Sequence, residues 1–359
     1  MLKVPRGCDT NRDLVTSRDM KIDGILAAAG GALDLAAIGA AARALEDLGY
    51  DGALSAEITH DPFLPLVVAA EHTEYLQLGT SIAVAFARNP MTLANVGYDL
   101  QTYSKGRFRL GLGSQIKPHI EKRFSMPWSH PAARMRELVL AMRAIWDTWN
   151  HGTPLQFRGE FYRHTLMTPM FDPGPNPYGD PDILLAGVGE LMTEVAGEVA
   201  DGMILHAFTT ERYLRDVTLP ALERGFATSG RTRADFEISG PLFVVTGTTE
   251  EEMAKAASAT KQQIAFYGST PAYQKVLDVH GWGDLHHDLN RLSKQGAWVQ
   301  MGELVDDEIL GTFAVVAEPE QVATAMKARY GELVDRVLFT APVRGDRDRW
   351  ADALAQFRG

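Results

Sequence analysis

The chain of 359 residues contains very little cysteine and no long apolar run. Its single cysteine is Cys8, so no disulfide can form within the chain. This usage is typical of a reducing compartment, and it predicts a cytoplasmic protein. A membrane-spanning helix needs about 18 or more consecutive apolar residues. No such run occurs in the sequence, so we expect no membrane association.

Basic residues are also too few for a protein that binds nucleic acid through its surface charge. The chain has 35 lysines and arginines against 46 aspartates and glutamates, a formal net charge of -11. Binding to nucleic acid without sequence preference requires a basic surface that neutralises phosphates. We therefore expect a small-molecule substrate and no nucleic-acid partner. The sequence leaves the oligomeric state open, with a homodimer as one possibility.

The first part of the chain lacks the features of a folded element. Residues 1–19 are polar and charged, and they have no apolar centre of the kind found in a signal peptide. We predict that they form a flexible extension. Residues 20–359 are predicted to form one domain, because regular strand and helix patterns begin at Met20 and continue to the C-terminal region.

Strand-like and helix-like segments alternate along this domain. Strands are predicted over 21–27, 52–57, 76–86, 107–112, 183–186, 202–206, 236–247 and 336–340. Amphipathic segments with helix caps separate them, of which 131–149 has the clearest helical period. Such alternation indicates a parallel sheet, and about eight repeats favour a closed (β/α)8 barrel over an open sheet. Residues 268–311 do not fit the repeat and are predicted to be an insertion at the ligand-binding end.

Two glycine-rich segments follow predicted barrel strands. Gly111 and Gly113 precede Ser114, and Gly187 and Gly189 precede a predicted helix. Glycines allow a ligand to approach the backbone, and the free N–H groups at the start of a helix suit a phosphate. Ordinary strand-to-helix turns use the same residues, so these segments alone do not establish a binding site.

These segments occur together with others in the order found in a known superfamily. The stretches 78–84 and 88–90, 104–114, 185–189 and 196–202 resemble the third to sixth strands of luciferase-like monooxygenases. The resemblance extends from about residue 20 to residue 345. Segments 57–63, 85–90 and 123–128 are most similar to the actinobacterial branch that depends on coenzyme F420. Relatives that use FMN share the same barrel, so FMN is the alternative cofactor.

The resemblance implies a fold, a cofactor site and a reaction. It implies a (β/α)8 barrel whose strand ends bind a deazaflavin and transfer a hydride to or from a small organic substrate. The implied cofactor-binding residues are Ser81, Ile82, Gly113, Ser114, Ala186, Gly187, Val188 and Gly189. Among these, the Ser81–Ile82 peptide bond is expected to be cis, because deazaflavin relatives have a cis bond there.

The candidates for acid–base catalysis are Glu57, His60 and His206. Related dehydrogenases often have an adjacent Asp-His pair after the second strand. Here Glu57 occupies the Asp position, but the histidine follows three residues later. Glu57 is alternatively a partner for a barrel arginine. His206 ends the sixth predicted strand, where side chains converge on ligands, although a barrel histidine is often only a packed core residue.

The remaining histidines support weaker interpretations. The long loop after the fourth strand contains His119, Arg123, Trp128 and His130, and it is either a lid over the site or a solvated loop. The insertion contains His280, His286 and His287, but their spacing matches no known metal motif, so no metal is predicted. Two other functions stay open: a two-component monooxygenase that uses reduced FMN, and a flavin-binding protein without turnover.

Overall fold

The computed structural model describes residues 20–26, 33–339 and 347–358. The predicted N-terminal extension, residues 1–19, lies outside the described residues, as do the last residues of the predicted strands 21–27 and 336–340. Within the described residues, no helix has the length and apolar character needed to span a membrane.

Thirteen strands are described, most of them short. They are β1 (Lys21–Ile25), β2 (Gly52–Ser55), β3 (Gln77–Thr80), β4 (Ala83–Val84), β5 (Phe108–Gly113), β6 (Phe157–Arg158), β7 (Arg163–His164), β8 (Asp182–Ala186), β9 (Gly202–Ile204), β10 (Glu237–Pro241), β11 (Phe243–Val245), β12 (Ala314–Val316) and β13 (Arg336–Leu338).

The larger sheet closes into a parallel barrel. Its order is β3-β2-β1-β13-β10-β9-β8-β5-β4, and an additional pairing between β3 and β5 joins the two edges. Counting β3 and β4 as one interrupted strand gives the eight strands that were predicted. The closed (β/α)8 architecture is therefore confirmed. Two predicted strands are interrupted: 76–86 breaks at Ser81 and Ile82, and 236–247 breaks at Leu242.

Helices cover the outside of the barrel. They are α1 (Leu35–Asp47), α2 (Phe63–His72), α3 (Pro90–Tyr103), α4 (Pro131–His151), α5 (Glu190–Val199), α6 (Glu211–Tyr213), α7 (Leu219–Ser229), α8 (Glu250–Gly268), α9 (Gln274–Asp278), α10 (Gly283–Lys294), α11 (Trp298–Glu303), α12 (Asp307–Phe313), α13 (Pro319–Tyr330) and α14 (Arg347–Ala355).

The sequence signals for helix ends have clear structural counterparts. The Asp34 carboxylate caps α1 by accepting from the N–H groups of Ala36 and Ala37, as this residue type does at helix starts. Asn89 forms a capping box at the start of α3. The predicted apolar face of α4 is buried against the barrel, and its Trp146 is completely buried.

The predicted insertion comprises α9 to α12 and packs on α8. It has its own hydrophobic cluster, which includes Phe243 of β11, Ile264 of α8 and Phe313 of α12. Phe208, just after β9, also belongs to this cluster and stacks on Phe313 with ring centroids 4.6 Å apart. The insertion is therefore attached to the end of the barrel where β9 finishes. That the whole of 20–359 behaves as one domain stays a prediction.

Candidate active site

The break between β3 and β4 lies at the carboxyl end of the barrel. The Ser81–Ile82 peptide bond is cis, which confirms the expected geometry at this position. The Ser81 N–H donates to the Ser55 carbonyl at 2.9 Å, and the Glu57 N–H donates to the Ile82 carbonyl at 3.1 Å. The segment after β2 therefore holds the break in place through backbone hydrogen bonds.

Gly111 and Gly113 make room for this break. A Cβ added at Gly111 would lie 1.9 Å from the Thr80 carbonyl oxygen, and one at Gly113 would lie 2.8 Å from the Ile82 side chain. The Thr80 hydroxyl also donates to the Gly111 carbonyl at 2.7 Å. Thr80 and Ile82 of the neighbouring segment therefore occupy the space beside these two glycines. Ligand contact at Gly113 and Ser114 stays a prediction.

Glu57 forms an ion pair with Arg88. Its Oε2 accepts a hydrogen bond from the Val84 N–H at 2.7 Å and another from Nη1 of Arg88. Nη2 of the same arginine contacts the Asp61 carboxylate at 3.0 Å. The Glu57 side chain is only 7% exposed, and the Arg88 side chain is 19% exposed. This geometry favours the ion-pair alternative for Glu57.

The structure does not place His60 beside Glu57 in a buried pocket. His60 is exposed, whereas Glu57 is buried. Directly after His60, the Asp61 carboxylate accepts a hydrogen bond from the Phe63 N–H at 2.9 Å at the start of α2. The acid–base role of these two residues stays a prediction.

His206 lies just after β9, at the barrel end. Its Nδ1 accepts a hydrogen bond from the Phe208 N–H at 3.0 Å. In the neutral ring this bond places the proton on Nε2, because a nitrogen that accepts cannot also bear hydrogen. Burial lowers the pKa of His206 to about 4, so the ring is neutral at pH 7. His206 is therefore a hydrogen-bond donor through Nε2 and not an imidazolium acid.

We expect the lowered pKa of His206 to make the fold sensitive to acid. An ordinary histidine has a pKa of 6.5 and the folded value is about 4. As the pH falls, the unfolded chain therefore binds a proton at a higher pH than the folded chain does. The free energy of unfolding falls as the pH drops from about 6.5 to about 4. The loss is at most about 3 kcal/mol. His206→Gln should show a smaller fall, measured as the difference in unfolding free energy between the variants across this range.

That comparison isolates one group, because every other carboxylate and histidine titrates in both proteins. Parallel stability curves for the two proteins between pH 6.5 and 4 would contradict a lowered pKa for His206.

Two tyrosines from the insertion side flank His206. The Tyr267 ring, near the end of α8, contacts it edge-on with centroids 4.6 Å apart, and the Tyr273 ring lies 4.7 Å away. Sequence reasoning missed both tyrosines. They belong to a region without barrel periodicity, and no local motif connects them to β9. No local signal in the sequence pointed to them.

The predicted phosphate-binding segment lies between β8 and α5. Gly189 is the N-cap residue of α5, and no side chain caps this helix. A Cβ added at Gly189 would meet no atom within 4 Å. Ala186 pairs with Gly113 across the β5–β8 ladder, which places this segment beside the β3–β4 break. The Tyr213 hydroxyl donates to the Val188 carbonyl at 3.1 Å and fixes the segment.

Charged side chains surround this helix start. Glu190 accepts from Lys275 Nζ at 2.9 Å and contacts Nη2 of Arg224 at 3.3 Å. The hydrogen bond from Lys275 is the main cause that lowers the pKa of Glu190. Arg224 also contacts Glu194 at 3.0 Å. Two cations thus lie near the start of α5, and two carboxylates already contact them.

The long loop after β5 covers one side of the barrel end. Its Arg123 donates to the Ile58 carbonyl, and its Trp128 ring contacts Phe86 with centroids 5.6 Å apart. Arg123, His119 and His130 are exposed, and Trp128 is half-buried. The loop therefore contacts the segment after β2, as a cover would, with one anchoring tryptophan. Whether it opens and closes stays a prediction.

The histidines of the insertion have structural partners. His286 is buried and its Nδ1 lies 2.8 Å from the Gly268 carbonyl oxygen, while Nε2 of His280 lies 2.8 Å from the Thr210 hydroxyl. His287 is exposed. Among the residues that the structure describes, no group of three or more histidine, cysteine or acidic side chains is arranged to bind a metal.

Known proteins resemble this chain over nearly its full length. An uncharacterised protein of Mycobacterium tuberculosis is 60% identical over 322 residues, which is 90% of this chain and 93% of the relative. The structure of coenzyme F420 dependent tetrahydromethanopterin reductase from Methanopyrus kandleri matches with a TM-score of 0.74 at 19% identity. That match covers 94% of this chain and 97% of the reductase.

A flavin enzyme has the same fold. The oxygenating constituent of 3,6-diketocamphane monooxygenase from Pseudomonas putida, solved with FMN, matches with a TM-score of 0.62 at 17% identity. The match covers 94% of this chain and 96% of the monooxygenase. The model of the family described as luciferase-like monooxygenase matches residues 20–336. Because this match spans most of the chain, the protein belongs to the luciferase-like monooxygenase family and is an oxidoreductase.

Proposed function

We propose that the protein is a coenzyme F420-dependent oxidoreductase that transfers a hydride between the deazaflavin and a small organic substrate. The observation that supports this most is the position of His206. A neutral histidine, with its Nε2 proton available, lies at the barrel end within 5 Å of two tyrosine rings, with centroid distances of 4.6 and 4.7 Å. This arrangement can orient a polar atom of a substrate without introducing charge.

The residues around the barrel end fit a cofactor of this type. A phosphate would be held by the N–H groups at the start of α5, where Gly189 leaves open space and no side chain occupies the cap position. Ala186 and Gly113, paired across the ladder, would border the ring together with Ile82. An anion that binds here would have to replace Glu190 as the partner of Lys275.

The chain's own residues perform three tasks in this proposal. When bound, the coenzyme supplies the hydride chemistry. His206 donates a hydrogen bond from Nε2 to the reacting oxygen of the substrate and keeps its orientation through the Phe208 N–H. The rings beside it exclude water, which strengthens that hydrogen bond. The Glu57 carboxylate accepts hydrogen bonds from Val84 and Arg88 and thereby fixes the position of these residues beside the site.

The runner-up function is a monooxygenase that uses reduced FMN and oxygen. The shared fold of the FMN-containing P. putida structure supports it. The test is a titration of the purified protein with each cofactor, followed by fluorescence, together with an oxygen electrode. Binding of F420 without oxygen uptake agrees with the proposal. Oxygen uptake with reduced FMN would favour the runner-up, and tight binding without turnover over a broad substrate panel would indicate a binding protein.

Gly189→Asp should separate cofactor binding from stability. Aspartate is a favourable N-cap residue, so we expect the melting temperature to stay the same or rise slightly. Its negative charge at the start of α5 should weaken binding of the phosphate-bearing cofactor by about tenfold or more. Dissociation constants from fluorescence titration and melting curves from the same preparation measure the two effects.

Gly189→Asn is the matched control, because asparagine caps the helix equally well without the charge. It should bind the cofactor more tightly than the aspartate variant. If the unsubstituted protein and both variants bound the cofactor with equal affinity, the phosphate would have to bind at another part of the barrel.

A further inference from the structure

His206 and two tyrosines form a cluster without formal charge, here called the aromatic cluster: His206, Tyr267 and Tyr273. The two tyrosine rings lie 6.2 Å from each other and each lies within 5 Å of the histidine ring, at 4.6 and 4.7 Å. Phe208 packs behind them, 6.2 Å from Tyr267 and 6.0 Å from Tyr273. The insertion and β9 thus build one aromatic surface together.

The polar atoms of this cluster are available. Among the described residues, neither the Tyr267 hydroxyl nor the Tyr273 hydroxyl has a hydrogen-bond partner, and neither belongs to the fully buried atoms without a partner. Both residues are half-buried. Hydroxyls that donate to no protein group can donate to an acceptor that comes from outside the chain.

Burial favours the uncharged form of two groups in the aromatic cluster. Burial raises the pKa of the Tyr273 hydroxyl, and the neighbouring Tyr267 raises it further. His206 is neutral for the same reason of burial. Within the described residues, the nearest cation in sequence, Lys275, already contacts Glu190. A carboxylate or phosphate on the reacting part of a substrate would therefore have to compete with Glu190 for this cation or give up its hydration unpaired.

We infer that the aromatic cluster binds a neutral carbonyl compound with an aromatic or other bulky apolar group, or the matching secondary alcohol. This inference rests on the proposed function. The phenol hydroxyls of Tyr267 and Tyr273, with Nε2 of His206, donate hydrogen bonds to the carbonyl oxygen. The rings contact the apolar group, as stacked aromatic side chains do.

The cluster also supplies the proton of the reaction. The carbonyl carbon gains the hydride of the reduced coenzyme, and the electron pair of the carbonyl π bond moves to oxygen. The oxygen then takes a proton from one of the two tyrosine hydroxyls and becomes the hydroxyl of a secondary alcohol. The coenzyme is left oxidised, and solvent returns the proton to the tyrosine, which is only half-buried.

The test compares three probes that differ in one group each: acetophenone, 4-acetylbenzoate, which adds a carboxylate, and ethylbenzene, which lacks the carbonyl. Saturation-transfer NMR is recorded on the full chain with and without oxidised F420. We expect acetophenone to bind about tenfold more tightly than either analogue. Tyr267→Phe and Tyr273→Phe should each weaken it about threefold to tenfold, as loss of one hydrogen bond does.

Tyr75→Phe is the matched control, because Tyr75 is 79% exposed and precedes β3 at the opposite end of the barrel. It should leave acetophenone binding unchanged. Equal binding of 4-acetylbenzoate, or unchanged acetophenone binding in both cluster variants, overturns the inference. The F420 titration is read separately: acetophenone selectivity without F420 binding would leave the aromatic cluster as a ligand site and refute the proposed function instead.

Discussion

Replacing His206 with alanine should reduce kcat/KM by about a hundredfold while leaving the protein folded. Removal of one donor that stabilises charge developing on oxygen typically costs about 10²–10³-fold in rate. The Nε2 proton of His206 is such a donor, because Nδ1 is held by the Phe208 N–H. The measurement is steady-state reduction of a carbonyl substrate, with the melting temperature and the F420 dissociation constant determined on the same samples.

His206→Gln distinguishes hydrogen bonding from proton transfer by an imidazolium. The glutamine amide can place a donor near the position of Nε2, so this variant should recover much of the lost rate. It should also have a flat rate profile near pH 4, where His206 of the natural protein titrates. If glutamine were as slow as alanine, a simple donor role would be wrong. Normal rates in both variants would exclude His206 from the reaction.

Replacing Glu57 with glutamine should destabilise the fold before it affects chemistry. The carboxylate is the partner of Arg88, and the pair is largely shielded from water, with side chains 7% and 19% exposed. Removing one member of a buried pair typically costs about 3–5 kcal/mol. Since Arg88 keeps Asp61 and some contact with water, we expect a loss of about 2–3 kcal/mol, measured by chemical denaturation.

A double variant separates this role from catalysis. Glu57→Gln together with Arg88→Met removes both charges, so it should be more stable than Glu57→Gln alone. Asp61→Asn is the control, because this partner is 44% exposed and should cost less than 1 kcal/mol. A double variant that regains stability and turnover shows a structural role. A stable double variant without turnover would support the acid–base prediction for Glu57.

The sequence predicted the barrel because its evidence is local and repeated. Helix caps such as Asp34 and Asn89, and the apolar face of α4, act within a few residues and were correctly located. The breaks in two strands were not predicted. The interruption at Ser81–Ile82 depends on hydrogen bonds from the segment after β2, and such long-range contacts leave no local pattern.

The sequence predicted where the candidate site lies, but not which side chains contact each other there. A barrel arginine was considered as the partner of Glu57, but only the closed barrel identifies that arginine as Arg88. Gly111 was interpreted as space for a ligand, whereas the Thr80 carbonyl takes that space. Tyr267 and Tyr273 were missed because they are far from His206 in the chain. Their approach requires the insertion to pack on the end of β9, which no short motif encodes.

The most direct test of the central claim follows the isotope in a single turnover. Reduced F420 labelled with deuterium at the hydride position is mixed with the protein and acetophenone under air enriched in oxygen-18. The account predicts deuterium on the alcohol carbon, no oxygen-18 in the product and no oxygen uptake. A parallel reaction contains reduced FMN in place of F420. Oxygen-18 in its product, together with no deuterium transfer from F420, would contradict the account and identify a monooxygenase.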